Sequence, residues 1–352
     1  MSKLIELIDK LYYTHSLSLD EHEYLIENRN DEATKLLKSY AIETRKKYYS
    51  NHIFVRGLIE ISNVCKNDCY YCGIRKSNKN CDRYRLTKEE ILECCDEGYG
   101  LCFRTFVLQG GEDGTFTDEW LCDLISKIKH NHPDCAVTLS LGERTKESNQ
   151  KLFLSGADRY LLRHETADEL HYSKLHPSEL TLNNRIRCLY DLKEIGYQVG
   201  CGFMVGSPHQ TAKNIAQDLK FIEDFSPDMC GVGPFIPHKD TIFKDEKAGD
   251  ADLCCYLLSI IRLIKPNILL PATTALGTIE NDGREKGVLS GANVIMPNLS
   301  PLSVRKKYAL YDGKISTGEE SAQSLERLKK SMNAIGYEVV INRGDINKIS
   351  KE

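Results

Sequence analysis

Eight short, mostly apolar runs, the first of them rich in β-branched residues, alternate with helical patterns between residues 54 and 296. The runs fall at 54–64, 105–109, 136–141, 159–162, 198–205, 229–232, 268–271 and 294–296. Between them, apolar residues at helical spacing predict helices at 87–97, 117–130, before 154, and at 182–195, 211–225, 251–265 and 283–290. Parallel strands need a crossover between them, and a helix is the usual one. Eight such units over about 250 residues match the count of a closed (β/α)8 barrel. An open doubly wound sheet has the same local pattern, so closure rests on the count alone. The expected fold is α/β, a TIM-type barrel with an N-terminal helical cap.

Three stretches organise the chain. Residues 1–50 read as the helical cap: Leu4, Ile8, Leu11 and Tyr12 share one helical face, and Ser18 with Glu21 has the spacing of a capping box. Residues 51–315 hold the barrel. Residues 316–352 form a C-terminal helical extension, with a helix at 322–336 and extended chain at 337–341.

Composition narrows the function. A net charge of -4 supplies no basic footprint for nucleic acid. No apolar run is long enough to span a membrane, and the first ten residues carry charges instead of a signal-peptide core. A cytoplasmic protein is expected. Its 14 cysteines, all between Cys65 and Cys255, therefore do not read as a disulfide framework, and most serve as small buried hydrophobes.

Three cysteines stand apart. Cys65, Cys69 and Cys72 form CxxxCxxC directly after the first predicted strand. Three thiolates on one loop can hold an iron–sulfur cube and leave its fourth iron open, as a catalytic centre needs. Zinc is the alternative, with Cys81 or His52 as fourth ligand, although zinc sites usually show two cysteine pairs. Barrel chemistry sits at the C-terminal ends of the strands. Polar clusters fall there: Gln109-Gly110-Gly111-Glu112 after strand two, Thr138 and Ser140 on strand three, Arg159, Arg163 and Glu165 on strand four and its exit. Met204 follows strand five, Thr273 and Thr274 strand seven, and Met296 strand eight.

The CxxxCxxC loop followed by Gly110-Gly111-Glu112 resembles the radical S-adenosylmethionine (SAM) superfamily. The resemblance implies a 4Fe-4S cluster on Cys65, Cys69 and Cys72, whose open iron chelates SAM and whose electron cleaves it to a 5'-deoxyadenosyl radical. It implies Tyr71 and Met204 near the adenine and Gln109 to Glu112 near the SAM amino group. Glu165 suits a ligand amine or ribose hydroxyls. Arg185, opening the next helix, suits the SAM carboxylate through its planar fork.

Longer strings, such as those at 107–113, 156–167, 231–238, 271–275 and 291–298, resemble the FeFe-hydrogenase maturases of the HydE type over about residues 52–315. That family is understood to act on an iron-bound cysteine complex bearing cyanide and carbonyl. By position, Thr138, Ser140, Arg159, Thr273, Thr274, Met296 and Tyr311 would line a large substrate cavity. An anionic complex calls for a cation such as Arg159 and for hydroxyl donors, whereas a structural Arg159 would pair with a carboxylate such as Glu60. Other maturases (HydG, HydF) and an electron donor are the implied partners. Some family members carry a second cysteine cluster near the C-terminus; residues 315–325 here contain no cysteine. The rival readings are methylornithine synthase-like or biotin synthase-like chemistry in the same barrel, or a non-catalytic metal-binding scaffold.

Overall fold

The structure is a computed structural model, and it describes residues 2–315 and 321–347. The first residues of the expected C-terminal extension, 316–320, lie outside the described ones. Three helices come first: α1 (Lys3–Thr14), α2 (Leu19–Glu27) and α3 (Asp31–Tyr49). Strands β1 (His52–Val55) and β2 (Gly57–Ser62) follow, nearly continuous, and then α4 (Lys88–Gly100), β3 (Thr105–Gly110), α5 (Asp118–Asn131), β4 (Ala136–Ser140) and α6 (Lys146–Leu154). The second half runs β5 (Arg159–Leu161), α7 (Glu169–Leu175), α8 (Leu182–Ile195), β6 (Gln198–Cys201), β7 (Met204–Val205), α9 (Ala212–Phe225), β8 (Met229–Cys230), β9 (Gly233–Pro234) and α10 (Ala251–Ile264). It ends with α11 (Thr274–Ile279), α12 (Gly283–Val288), β10 (Val294–Ile295), α13 (Leu302–Arg305), α14 (Ser321–Ala334) and β11 (Glu338–Val340).

The barrel closes. Strands β2, β3, β4, β5, β6 and β8 pair in that order, all parallel. Parallel bridges Met229–Leu269 and Pro271–Val294 carry the ladder through the seventh position to β10, where the chain is too irregular to count as a strand. Strand β10 pairs with β1, and Leu58 closes the ring: its N–H donates to Pro297 O at 2.8 Å and its carbonyl accepts from Leu299 N–H at 2.7 Å. Strand β11 adds to the other edge of β1, below the start of β3.

Alternation along the strands sorts the side chains. Ile59, Ile61, Phe106, Leu108, Val137, Leu139, Tyr160 and Leu162 face outward and are fully buried under the helices. Their partners on the inner face include Glu60, Gln109, Thr138 and Arg159. On the mouth side, threonines start the helices: Thr87, Thr117, Thr145, Thr181 and Thr211 each accept a backbone N–H as N-cap. The predicted strand at 198–205 is broken at Gly202, with φ +155°, because a Cβ there would lie 2.1 Å from Gly231 O.

The N-terminal helices lie against the flank of the barrel, on α9 and α10. The capping box of Ser18 and Glu21 is present. This packing explains why α10 is apolar nearly all round: every residue from Cys254 to Ile264 is buried.

Candidate active site at the barrel mouth

The cysteine loop leaves β2 in tight turns. Cys72 N–H donates to Cys69 O at 3.2 Å, Arg75 N–H to Cys72 O at 3.2 Å, and Lys76 N–H to Asn67 O at 2.8 Å. Gly111 sits directly beneath: a Cβ there would come within 2.3 Å of Val64 O and 2.8 Å of Cys65 Cβ. Only glycine lets strand β3 end this close to the loop.

Cys65, Cys69 and Cys72 are partly exposed, whereas eight other cysteines are buried. The groups whose charges bear on Cys69, once burial has raised its thiol, are Cys72, Arg185, Cys65 and Glu165, so the loop and the exit of β5 share one neighbourhood. Burial likewise pushes the Cys72 thiol up to about 12, and metal binding there must expel protons. Among the described residues no three His, Cys, Asp or Glu side chains converge on a single-ion site. Three thiolates carried on one short loop are the donor set that a cube takes on three of its irons. His52 begins β1, at the far end of the first strand from the loop, and cannot be a zinc ligand with it.

The residues expected around SAM gather on one side of this loop. Tyr71 packs with Met204, Leu175, Phe235 and Phe243 in one apolar cluster. Its hydroxyl lies 3.3 Å from His176 Nε2, and His176 stacks on Tyr172 with centroids 3.9 Å apart. Glu165 leaves β5 at φ +67°, a left-handed conformation costly for a residue with a Cβ. Two backbone bonds hold it there: its N–H donates to Gly202 O at 3.0 Å and its carbonyl accepts from Met204 N–H at 3.4 Å. Behind the turn, His164 Nδ1 accepts from Gly202 N–H, which directs the proton on Nε2 to Asp218 Oδ1 at 3.2 Å. Arg185 is buried; its Nε donates to Glu143 Oε1 at 2.5 Å and Nη1 to Arg163 O at 3.0 Å. Burial opposes its charge, yet Tyr172, Glu143, Tyr71 and Glu112 around it hold the guanidinium firmly protonated.

Glu112 is tied into the scaffold. Its Oε1 accepts from Glu143 N–H at 2.9 Å, Oε2 pairs with Lys66 at 3.2 Å, and its carbonyl accepts from Lys66 N–H. Gln109 donates to Tyr308 Oη at 3.3 Å, and Gly110 ends β3 beside it.

The residues expected around the substrate divide. Thr138 and Met296 line a cavity of about 20 Å³ inside the barrel, together with Arg56, Val107, Leu161, Met229, Gly231, Pro271 and Val294. Thr138 Oγ1 and Arg56 Nε are buried there without a hydrogen-bond partner. Ser140 ends β4, Thr273 caps α11 at 3.5 Å from Leu276 N, and Thr274 O accepts from Thr278 Oγ1 at 2.9 Å. Tyr311 is half-buried, and burial pushes its phenol up to about 12. The expectation for Arg159 needs correction. As the first residue of β5 it lies at the floor of the barrel, away from the mouth. Its guanidinium is spent on Asp345 Oδ1 at 2.6 Å, Arg343 O at 2.8 Å and Thr105 Oγ1 at 3.1 Å. Glu60 is not its partner; it pairs with Lys314.

Arg163, four residues on and on the same strand face, is a guanidinium at the mouth, beside Arg185. It stands 3.0 Å from Glu165 Oε2, but the alignment is poor, and Arg163 Nε and Nη2 and Glu165 Oε2 are buried without a hydrogen bond. The sequence pattern puts it on this face but points the substrate to Arg159. The seven-residue α7, which carries Tyr172 of the ring stack behind Tyr71, is too short to leave a periodic signal.

Outside the barrel, an open cleft of about 820 Å³ runs over the loops after β3 and β4. It borrows Glu112 and Glu143 from the site, but its charged groups are largely paired with one another: Asp118 with Arg144 and Lys151, Glu143 with Arg185, Arg187 with Asp191.

A closed parallel barrel whose first strand delivers three cysteines to a mouth lined by an aromatic cluster, a carboxylate and two guanidinia defines a radical SAM enzyme. The family model described as the Radical SAM superfamily matches residues 59–222. The chain is 44% identical over 296 residues to the FeFe hydrogenase maturase subunit HydE of Thermotoga maritima, covering 84% of each. It is 28% identical over 332 residues to the 3-methylornithine synthase of Methanosarcina acetivorans, covering 94% of this chain and 92% of that one. The crystal structure of methylornithine synthase (PylB) matches with a TM-score of 0.83 at 25% identity, covering 95% of this chain and 97% of that one. The chain belongs to the HydE family of FeFe-hydrogenase maturases, radical SAM enzymes that use a 4Fe-4S cluster and SAM. No described helix is long and apolar enough to cross a membrane.

Proposed function

We propose that this chain performs the radical SAM step of H-cluster assembly on a small, sulfur-containing, iron-bound substrate held inside the barrel. The observation that carries this is the cysteine loop of a HydE-family chain standing directly over a barrel mouth that holds Arg163, which faces Glu165 at 3.0 Å but keeps its Nε buried without a hydrogen bond. When loaded, cluster and SAM supply a 5'-deoxyadenosyl radical.

The chain's own residues do the rest. Cys65, Cys69 and Cys72 hold the cluster. Tyr71 and Met204 offer an apolar wall for an adenine ring, Glu165 accepts from ligand hydroxyls or amine, and Arg185 takes a carboxylate. Arg163 faces the anionic substrate, with Thr138, Ser140, Thr273, Thr274, Met296 and Tyr311 as the expected lining. The apolar inner wall excludes water, which keeps a radical from side reactions. Work alongside the other maturases, HydG and HydF, and with an electron donor follows from the family. Anaerobic reconstitution with iron and sulfide, followed by electron paramagnetic resonance with and without SAM, tests the first half. A SAM-dependent change in the cluster signal is expected. In vitro maturation of apo-hydrogenase tests the second half; 3-methylornithine formation in its place would transfer the chain to the synthase reading.

A further inference from the structure

The loop that carries the three cysteines hangs on one guanidinium. Arg83 Nη1 donates to the carbonyls of Asn63 at 2.5 Å and Ile74 at 2.8 Å, and Nη2 to those of Arg75 at 2.6 Å and Asn78 at 3.1 Å. One acceptor lies just before Cys65 and three just after Cys72, so the four bonds straddle the cysteine segment. Asn63 locks the same corner. Its Nδ2 donates to Asp82 O and Lys307 O, both at 2.8 Å, and its Oδ1 accepts from Tyr84 N–H at 2.8 Å.

All the acceptors are neutral carbonyls. The carboxylates nearby in sequence are engaged elsewhere, Asp68 with Arg75 and Asp82 with Lys307. Among the described residues no carboxylate pairs with Arg83, so its charge is left to act on its surroundings. A cube with three thiolates is anionic, and reduction makes it more so; a fixed cation beside it lowers the cost of the added electron.

We infer that Arg83 is the positioning residue of the cluster loop: its fork sets the spacing of the cysteines before metal arrives, and its unneutralised charge raises the reduction potential of the cluster. This rests on Cys65, Cys69 and Cys72 being the cluster ligands. Lysine keeps the charge but cannot span four carbonyls; glutamine keeps polarity without charge.

The test uses the anaerobically reconstituted full chain as wild type, Arg83→Lys and Arg83→Gln. Retention of iron against a chelator is measured, and the midpoint potential is taken from a redox titration followed by electron paramagnetic resonance without SAM. Arg83→Gln is expected to lose iron about tenfold faster or more and to titrate at a more negative potential. Arg83→Lys should also lose iron faster but keep a potential close to wild type. Wild-type iron retention in both variants, or an unshifted potential in Arg83→Gln, overturns the inference. If Arg83→Gln takes up no cluster, Arg83→Lys decides, because wild-type retention there overturns it too. Failure of the wild type itself to hold a cluster strikes the proposed function instead.

Discussion

Arg159 at the floor of the barrel is bonded at 2.6 Å to Asp345, a residue 186 positions later in the chain. Arg343 reinforces the contact, pairing with Asp345 at 2.9 Å and Asp158 at 2.9 Å. The C-terminal segment thus does more than extend the fold: after β11 joins β1, residues 343–345 plug the end of the barrel opposite the chemistry. A guanidinium inside a barrel has to be paired, and here the tail supplies the carboxylate.

Removing that carboxylate should loosen the floor without touching the mouth. Burial pushes the Asp345 carboxyl up, but Arg159, Gln198 and Arg343 carry it down to about 2. Its folded-state pKa is therefore below the ordinary 3.8. The stabilisation is complete above that ordinary value and is lost as pH falls through the folded value. Breaking a fully buried pair costs roughly 3–5 kcal/mol; Asp345 is 41% exposed, so solvent screening reduces this to about 2 kcal/mol for Asp345→Asn at neutral pH. Denaturant unfolding should show that gap at pH 7 and show it closing between pH 4 and 2. A gap that persists at pH 2 would place the cost elsewhere.

The two arginines of β5 and its exit should separate cleanly on mutation. Arg163→Leu is expected to fold and hold its cluster; removing the partner of Glu165 lowers SAM cleavage somewhat, but hydrogenase maturation should fall at least tenfold further. Arg159→Leu should instead lower soluble yield and thermal stability, with maturation per folded molecule little changed. Measuring 5'-deoxyadenosine and matured hydrogenase in parallel reads both; wild-type maturation by Arg163→Leu would remove it from the substrate site.

That separation also marks where sequence reading stops. Arg159 and Arg163 share a strand face, and nothing local says which end of the barrel either occupies; only the start of β5 at Arg159 decides it. The partner that makes Arg159 structural, Asp345, has no pattern linking it to the barrel. The eight-fold alternation was legible because the outer face of every strand must be apolar, and the cysteine spacing and Gly110-Gly111 because they answer to local geometry. The break at Gly202 was not, since the approach of the Gly231 carbonyl is a tertiary fact. Lys314 over Glu60, likewise, comes from a loop with no periodic signal.

Replacing any one of Cys65, Cys69 and Cys72 with alanine should abolish the cluster spectrum and 5'-deoxyadenosine formation together, while Cys81→Ala should leave both. Cys81 is partly exposed and lies 3.5 Å from Asn63 Nδ2, close to the loop but outside its turns. Stoichiometric zinc in anaerobically reconstituted wild type, lost in Cys81→Ala, would restore the zinc reading.

Glu165 and Arg185 should govern SAM affinity and leave the cluster alone. Glu165 is held at φ +67° by backbone bonds to Gly202 and Met204, so Glu165→Gln keeps the turn and changes only the charge. A hydrogen bond to a charged group contributes about 1.5–3 kcal/mol, so loss of one should weaken SAM binding on the order of 10- to 100-fold. Arg185→Ala removes the carboxylate acceptor's partner but also strips Glu143 of its bond at 2.5 Å, so a stability loss would accompany it. Arg185→Lys controls for this: the ammonium can still pair with Glu143 but cannot present a second parallel donor. Equilibrium binding of SAM to the reconstituted proteins is the measurement, with iron content as the check on the cluster. Weakened SAM affinity in Glu165→Gln and in Arg185→Lys, with iron unchanged, is the expected result. Wild-type affinity in both would move the SAM site away from the exit of β5.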